Sequence, residues 1–222
     1  MLEGTNMSDF EHENDIIGLL DDDERPMTKS ERTRLKIMAG AARAFNDKGF
    51  ENTSIQDIAD TAGVAKGTIY YYIEKKEDLL LSLLEFGQAR LFARIDKGIG
   101  RETTAAGKIE LIIRNHLRII KVVGPIIPHV AQNIVTADSK IQNSMAKLRK
   151  RYLALLESVI KEGIESGEFR EVRPDKAALV VMSLVLGQIL QHKIFVGKLN
   201  AREIIASTMD FALNGLRNAD EG

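Results

Sequence analysis

Two short helical segments joined across one glycine constrain the fold of this chain most strongly. Residues 53–56 have the spacing of a capping box, in which Thr53 and Gln56 each satisfy a free backbone N–H group of a first helical turn. An apolar stripe of Ile55, Ile58, Ala59 and Ala62 follows at helical spacing. Gly63 ends this segment, and a second helix is predicted over residues 65–72. Two short helices across a glycine turn are typical of a helix-turn-helix unit.

The rest of the chain is also predicted to be helical. Apolar residues recur at helical spacing in further segments, and no strand is predicted. These segments cover residues 28–49, 76 to beyond 95, 105–123, 139–166, 174–190 and 201–216. Pro125 and Pro128 break the chain and predict one more short helix after them. We therefore expect an all-α fold.

The composition argues against several classes of protein. The 222 residues include no cysteine, which excludes thiol nucleophiles, thiolate zinc sites and iron–sulfur clusters. The four histidines are scattered and unpaired, so we predict no catalytic residue, no metal and no cofactor. The longest uncharged apolar run, residues 177–191, is shorter than the roughly 20 residues of a membrane-spanning helix. No signal peptide is recognisable, and we expect a cytoplasmic protein without a membrane partner.

The second helix of the helix-turn-helix unit has an unusual outer face. At about 100° per residue, Ile69 points inward and both Gly67 and Tyr71 point away, flanked by Thr68 and Tyr70. Exposed tyrosines offer a flat surface to thymine methyl groups and a hydroxyl group to phosphate. Three lysines bracket the helix, and Thr53 and Ser54 begin the preceding helix, where free N–H groups bind anions. These features favour a recognition helix in a DNA major groove. The alternative is that the tyrosines pack against the next helix and the lysines, Lys66, Lys75 and Lys76, are ordinary solvated charges.

Three runs in this region carry a family resemblance. Residues 49–59 (GFENTSIQDIA), 62–72 (AGVAKGTIYYY) and 76–80 (KEDLL) resemble the TetR family of transcriptional repressors. The resemblance implies a homodimer with a three-helix DNA-binding domain, residues 27–76, and a helical effector-binding and dimerisation domain, residues 77–222. By matched position, the resemblance assigns DNA contacts to Gly67, Thr68, Tyr70 and Tyr71, phosphate contacts to Ser54 and Lys76, and a weaker contact to Lys66.

The N-terminal segment is strongly acidic. Residues 1–28 carry nine acidic side chains and one basic one, whereas the remaining residues carry 30 basic and 23 acidic ones. Residues 1–26 are therefore predicted to be a separate acidic tail. The tail is either dispensable or docked on a basic surface. In the second case, its deletion is expected to tighten DNA binding.

The helix that Pro174 opens is apolar on nearly all sides, so it must be buried on both faces. One face can contact its own domain and the other the same helix of a second chain, beside the helix at 201–216. The alternative is a core helix of a monomer. The predicted dimer interface comprises Val181, Leu184, Val185, Gly187, Gln188, Met209 and Leu213.

An effector pocket is predicted from three aromatic residues on apolar helix stripes: Phe86, His116 and Tyr152. The alternative is that His116 is an ordinary core histidine and that Tyr152 points its hydroxyl group to water. A neutral or lipid-like apolar effector is expected, with Lys147, Arg149, Lys150 and Arg151 available to an anionic head group. The predicted function is thus a repressor that a ligand releases from a palindromic operator. A DNA-binding regulator without an effector is the second hypothesis, and an enzyme is the weakest.

Overall fold

The computed structural model describes residues 28–126, 129–130, 139–191 and 201–216, and all regular structure in these ranges is helical. The helices are α1 (Lys29–Asn52), α2 (Ile55–Ala62), α3 (Lys66–Tyr72), α4 (Lys76–Ile99), α5 (Ala105–Val123), α6 (Ser139–Glu165), α7 (Pro174–Gln191) and α8 (Ala201–Leu216), with a 3₁₀ turn at Gly124–Ile126 after α5. The predicted all-α fold is confirmed.

Several predicted segments lie outside the described residues. The acidic tail, residues 1–26, is one of them, and most of the short helix predicted after Pro128 is another. No helix in the described part of the chain is long and apolar enough to cross a membrane.

The chain divides into two compact units. Of the described residues, the first comprises residues 28–83 with Lys121–Ile126, and the second comprises Leu84–Ile120 with residues 129–130, 139–191 and 201–216. Helix α4 begins in the first unit and continues into the second. The domain boundary at residue 76 stays a prediction.

Local signals set the ends of α1. Thr28 and Glu31 form a complete capping box: the Thr28 hydroxyl group accepts the N–H of Glu31, and the Glu31 carboxylate accepts the N–H of Thr28. Gly49 breaks the helix with a φ of 75°, a left-handed value that glycine adopts without strain. The sequence therefore predicts this break correctly, and a last turn continues to Asn52.

Helices α1 and α2 pack closely in the first unit. A Cβ atom on Gly40 of α1 would lie 2.6 Å from the Cβ atom of Ala62 of α2. The core here is apolar, and the side chains of Ile37, Phe45 and Ile58 are almost completely buried. This packing holds α2 at the position from which the turn and α3 project.

In the second unit, distant residues cap the helices. The Glu168 carboxylate accepts the N–H groups of Ala105 at 2.7 Å and Ala106 at 2.9 Å, and so caps the start of α5. The Arg170 backbone N–H donates to the carbonyl of Leu216 at 2.7 Å, at the end of α8. The segment between α6 and α7 thus ties α5 and α8 together.

Candidate functional site

The turn before α3 has the geometry expected of a helix-turn-helix unit. Gly63 adopts φ 64° and ψ 40°, and its N–H group donates to the carbonyls of Ala59 and Asp60. The N–H of Val64 donates to Ala59 at 3.1 Å. These hydrogen bonds pair the free carbonyl groups of the last turn of α2 directly after the helix ends. Helix α3 can therefore begin at Lys66.

Helix α3 has the two faces that its sequence predicts. Ile69 is completely buried, whereas Tyr71 is 82% exposed and Tyr70 is 51% exposed. Gly67 is exposed, with no atom near the place of a Cβ, and Thr68 is half-buried. The outer face of α3 therefore exposes the phenol rings of Tyr70 and Tyr71 and the backbone at Gly67. Lys66, the first residue of the helix, adds an exposed positive charge.

Tyr72 fixes α3 against α1, a role that the sequence alone left open. Its hydroxyl group and that of Ser30 are hydrogen-bonded at 3.1 Å. Its ring also makes an edge-to-face contact with Tyr71, with centroids 5.1 Å apart. Tyr72 therefore positions the outer tyrosine, and only the fold brings residues 30 and 72 together.

The structure corrects the prediction for Thr53. Its side chain is buried, and the hydroxyl group lies 2.6 Å from the carbonyl of Gly49 and 3.1 Å from that of Ala44. The backbone N–H of Thr53, on which the predicted anion contact rested, donates to the carbonyl of Phe50 at 3.3 Å, and the single hydroxyl proton is also used inside the protein. These hydrogen bonds stabilise the end of α1. The N-cap of α2 is the next residue, Ser54.

Ser54 and Asp57 form the capping box of α2, in place of the predicted pair Thr53 and Gln56. The Ser54 hydroxyl group accepts the N–H of Asp57 at 3.1 Å and donates to its carboxylate at 2.6 Å. Lys48 forms an ion pair with the same carboxylate. The hydrogen bond from Lys48 and those from Ser54 hold the pKa of Asp57 far below its usual range. Ser54 remains exposed, and its phosphate contact stays a prediction.

The structure gives Lys76 partners other than the predicted phosphate. Its ammonium group donates to three backbone carbonyls at and just beyond the end of α1, those of Phe50 (2.6 Å), Thr53 (3.0 Å) and Glu51 (3.2 Å). It also lies 4.4 Å from the centroid of the Phe50 ring. An ammonium group has three protons, so this arrangement leaves none for a DNA phosphate. These contacts favour a role for Lys76 as a structural cap of α1.

In the second unit, His116 of α5 and Tyr152 of α6 lie side by side in the core. Their ring centroids are 4.9 Å apart with an interplanar angle of 67°. Neither His116 Nδ1 nor the Tyr152 hydroxyl group has a hydrogen-bond partner among the described residues. A buried polar group without a hydrogen bond lowers the stability of a folded protein by about 1–3 kcal/mol. Burial lowers the pKa of His116 to about 4 and raises that of Tyr152, so both groups are neutral at pH 7.

The third predicted pocket residue, Phe86, has a different environment. It is half-buried on α4, and the Arg90 guanidinium group lies 5.0 Å from its ring centroid. Of the three predicted pocket residues, the structure thus brings His116 and Tyr152 into contact. Phe86 instead contacts Arg90 of its own helix. Its contact with an effector stays a prediction.

The predicted dimer interface needs correction at three positions. Val181, Val185 and Met209 are buried within the protomer, so their side chains are not available to a partner. Gln188 also bonds inside the protomer, donating to the Thr208 hydroxyl group at 2.8 Å. The sequence could not reveal this because α7 is apolar on nearly every side, and its periodicity does not tell which side faces inward.

A neighbouring face of α7 carries exposed apolar side chains that the sequence analysis missed. Val180 is 57% exposed, and Phe211 of α8 is 68% exposed. Leu186 and Leu190 are also partly exposed, and the predicted residues Leu184, Gly187 and Leu213 are half-buried or exposed. Between α7 and α8 lies a groove of about 320 Å³, which includes Val180, Leu184 and Phe211 in its wall. Such an apolar patch is typical of a surface that contacts another protein.

No three His, Cys, Asp or Glu side chains form a metal-binding group in the described ranges.

Comparison with known families accounts for both units. The model of the bacterial regulatory proteins of the tetR family matches residues 37–83. The model of the tetracyclin repressor-like C-terminal domain matches residues 102–216, more than half of the chain.

The chain belongs to the TetR family.

Relatives of this TetR-family chain include regulators of known structure. The Fatty acid metabolism regulator protein of Bacillus subtilis (strain 168) is 28% identical over 137 residues, which cover 62% of this chain and 71% of the relative. The structure of PfmR from Thermus thermophilus is 27% identical, with a TM-score of 0.66, and covers 82% of this chain and 99% of PfmR. FadR from Bacillus subtilis, in complex with stearoyl-CoA, is 24% identical, with a TM-score of 0.67, and covers 82% of this chain and 98% of FadR.

These similarities confirm the predicted family and the predicted function of a transcriptional regulator. As a TetR-family protein, the chain carries its DNA-binding unit in the residues around α1–α3, where the first family model matches. PfmR is itself a TetR-family transcriptional regulator.

Proposed function

We propose that this protein is a cytoplasmic, homodimeric repressor that covers a palindromic operator and leaves it when an acyl-type effector binds to the second unit. The observation that carries the DNA-binding part is the outer face of α3. Tyr71 is 82% exposed opposite the completely buried Ile69. A large exposed aromatic ring on a short, firmly anchored helix suits contact with base edges in a major groove.

The DNA contacts that we propose are those of the exposed surface. Gly67, Thr68, Tyr70 and Tyr71 meet bases and the nearby sugar–phosphate backbone, and Lys66 contacts a phosphate. Ser54 adds a backbone-positioning contact at the start of α2. Thr53 and Lys76 are left out because their donors are used inside the protein.

Selection of bound duplexes from a random DNA library tests the DNA-binding proposal. The expected product is a palindrome, because a two-fold symmetric dimer reads two equivalent half-sites. The selected duplex then serves as the operator in binding experiments. Recovery of sequences without two-fold symmetry would contradict a dimeric repressor.

The dimer that we propose pairs the exposed apolar face of α7 and α8 with the same face of a second chain. Val180, Gly187, Leu190 and Phe211 lie on this face, together with Leu186. Burial of these side chains in a symmetric contact removes them from water, which stabilises the dimer. Gly187 has no atom within 4 Å of the place of a Cβ, so a partner backbone can approach there.

The acyl-type effector is supported by the relatives and by the character of the second unit. One relative is a fatty acid metabolism regulator, and FadR was solved with stearoyl-CoA. In this chain, the inner face of α5 is a buried apolar surface that suits a hydrocarbon chain. Lys147 and Lys150 are exposed on the solvent side of α6, where a phosphate-bearing head group can bind.

Release of DNA tests the effector. Stearoyl-CoA, stearate and free coenzyme A are titrated separately into the protein–operator complex, and bound DNA is followed by fluorescence anisotropy. Release by stearoyl-CoA at a concentration at which free coenzyme A has no effect is the expected result. Persistence of the complex with all three compounds would contradict an acyl-type effector and leave the DNA-binding proposal intact.

A further inference from the structure

The pair formed by His116 and Tyr152 is the least explained feature of the second unit. Both side chains are at least nine-tenths buried, and both have a polar atom without a hydrogen-bond partner among the described residues. Their edge-to-face contact engages the rings but pairs neither Nδ1 nor the hydroxyl group. Buried polar atoms in proteins are nearly always paired. Two unpaired atoms on adjacent rings therefore point to a partner that the described residues do not supply.

We propose that His116 and Tyr152 form the polar end of the effector site and together hydrogen-bond one neutral oxygen atom of the effector, such as the carbonyl oxygen of a thioester or ester. This inference rests on the proposed function, because it specifies which group of the acyl-type effector the core recognises.

The chemistry of the two groups matches a carbonyl oxygen. A phenol hydroxyl group donates one hydrogen bond, and a neutral imidazole donates one from whichever ring nitrogen carries the proton. A carbonyl oxygen has two lone pairs, so it can accept from both groups at once. The two donors come from different helices, and their ring centroids are only 4.9 Å apart, so both belong to one small region of the core.

A carboxylate fits the same place poorly. Burial keeps the imidazole unprotonated, with a pKa of about 4, and raises the pKa of the phenol. The surrounding side chains of α5 and α6 are buried and apolar, so two neutral donors compensate the charge of a carboxylate there less completely than an ion pair would. The site should select an esterified acyl chain over the corresponding free acid.

The surroundings suit a hydrocarbon chain on either side of that oxygen. On α5, the residues at the helical positions around His116 are buried and apolar: Ile109, Ile112, Ile113, Leu117 and Ile120. On α6, Leu156, Val159 and Ile160 continue the buried apolar face beyond Tyr152. One polar position within a long apolar surface matches the acyl part of an ester, which is a hydrocarbon chain with a single carbonyl group.

The first test needs no ligand. The Tyr152→Phe variant and the wild-type protein are stripped of bound molecules by unfolding and refolding, and their urea unfolding midpoints are compared. Because the Tyr152 hydroxyl group has no partner to lose, the midpoint of the variant should be unchanged or higher. Tyr72→Phe is the matched control: its hydroxyl group bonds to Ser30, so its midpoint should fall. A comparable fall for Tyr152→Phe would show that this hydroxyl group is already paired and would overturn the inference.

The second test compares head groups on one acyl chain. Methyl decanoate and decanoate are titrated into the full-length wild-type protein and the Tyr152→Phe variant at pH 7.5 by calorimetry. The wild type should bind the ester at least about 10-fold more tightly than the acid, and the variant should lose about 10-fold in ester affinity, the scale of one buried hydrogen bond. Decanoate affinity should change less than about 2-fold.

The outcomes separate this inference from the proposed function. Tighter binding of the acid than of the ester, or an ester affinity that Tyr152→Phe leaves unchanged, overturns the neutral-oxygen site while an acyl-type effector stands. Absence of binding by both probes overturns the acyl-type effector, and the urea comparison then decides by itself whether the two polar groups lack a partner.

Discussion

The Lys76→Ala variant distinguishes a structural lysine from a DNA-binding one. It removes an ammonium group that bonds three backbone carbonyls around the end of α1 and lies against the Phe50 ring. Hydrogen bonds to charged groups contribute about 1.5–3 kcal/mol each to stability. Lys76 is half-buried and water can reach part of this site, so we expect the total loss to be about 2 kcal/mol.

Urea unfolding followed by circular dichroism measures this loss. The matched control is Lys66→Ala, which removes an exposed lysine at the start of α3 and should change the free energy of unfolding by less than about 0.5 kcal/mol. Operator affinity at several salt concentrations supplies the second measurement. Lys66→Ala should lower the slope of log affinity against log salt by about one unit per protomer, whereas Lys76→Ala should leave the slope unchanged.

The opposite pattern would refute this reasoning. If Lys76→Ala unfolds like the wild type and has a lower salt slope, its ammonium group contacts phosphate and the three carbonyls do not hold it.

Three further predictions test other parts of the molecule. Tyr71→Ala should weaken operator binding by about 1–3 kcal/mol with an unchanged unfolding midpoint, because this side chain is exposed; a lower midpoint with normal affinity would contradict its outward role. Leu186→Glu should yield a folded monomer by size-exclusion chromatography, whereas Val185→Glu should unfold the protomer because Val185 is completely buried; a dimer of Leu186→Glu would place the interface elsewhere. Burial lowers the pKa of His116 from 6.5 to about 4, so the unfolded state binds a proton first as the pH falls, and stability is lost between about pH 6.5 and 4. Between pH 7 and pH 5 this loss should be about 2 kcal/mol, and urea unfolding of His116→Gln should lack it; equal pH dependence in both proteins would argue against a neutral buried imidazole.

Features that depend on a few neighbouring residues were predictable from the sequence. The end of α2 at Gly63 and the break at Gly49 appear as predicted, and the capping box of Thr28 and Glu31 joins residues only three positions apart. The opposite directions of Ile69 and Tyr71 also follow from helical geometry alone. In each case the physical cause lies within about one helical turn, so the local sequence contains all of it.

Features that depend on distant neighbours were decided by the tertiary structure. The sequence shows a lysine at position 76, but only the fold brings it to the carbonyls of residues 50, 51 and 53, where it can cap α1. Helix α7 is apolar on nearly every side, so packing against α6 and α8 decides that Val185 is inside and Leu186 outside. The helical stripes place His116 and Tyr152 inward, but only the packed core shows that each lacks a hydrogen-bond partner among the described residues. Whether a buried polar atom is paired depends on atoms from other helices, and the periodicity of one helix carries no information about them.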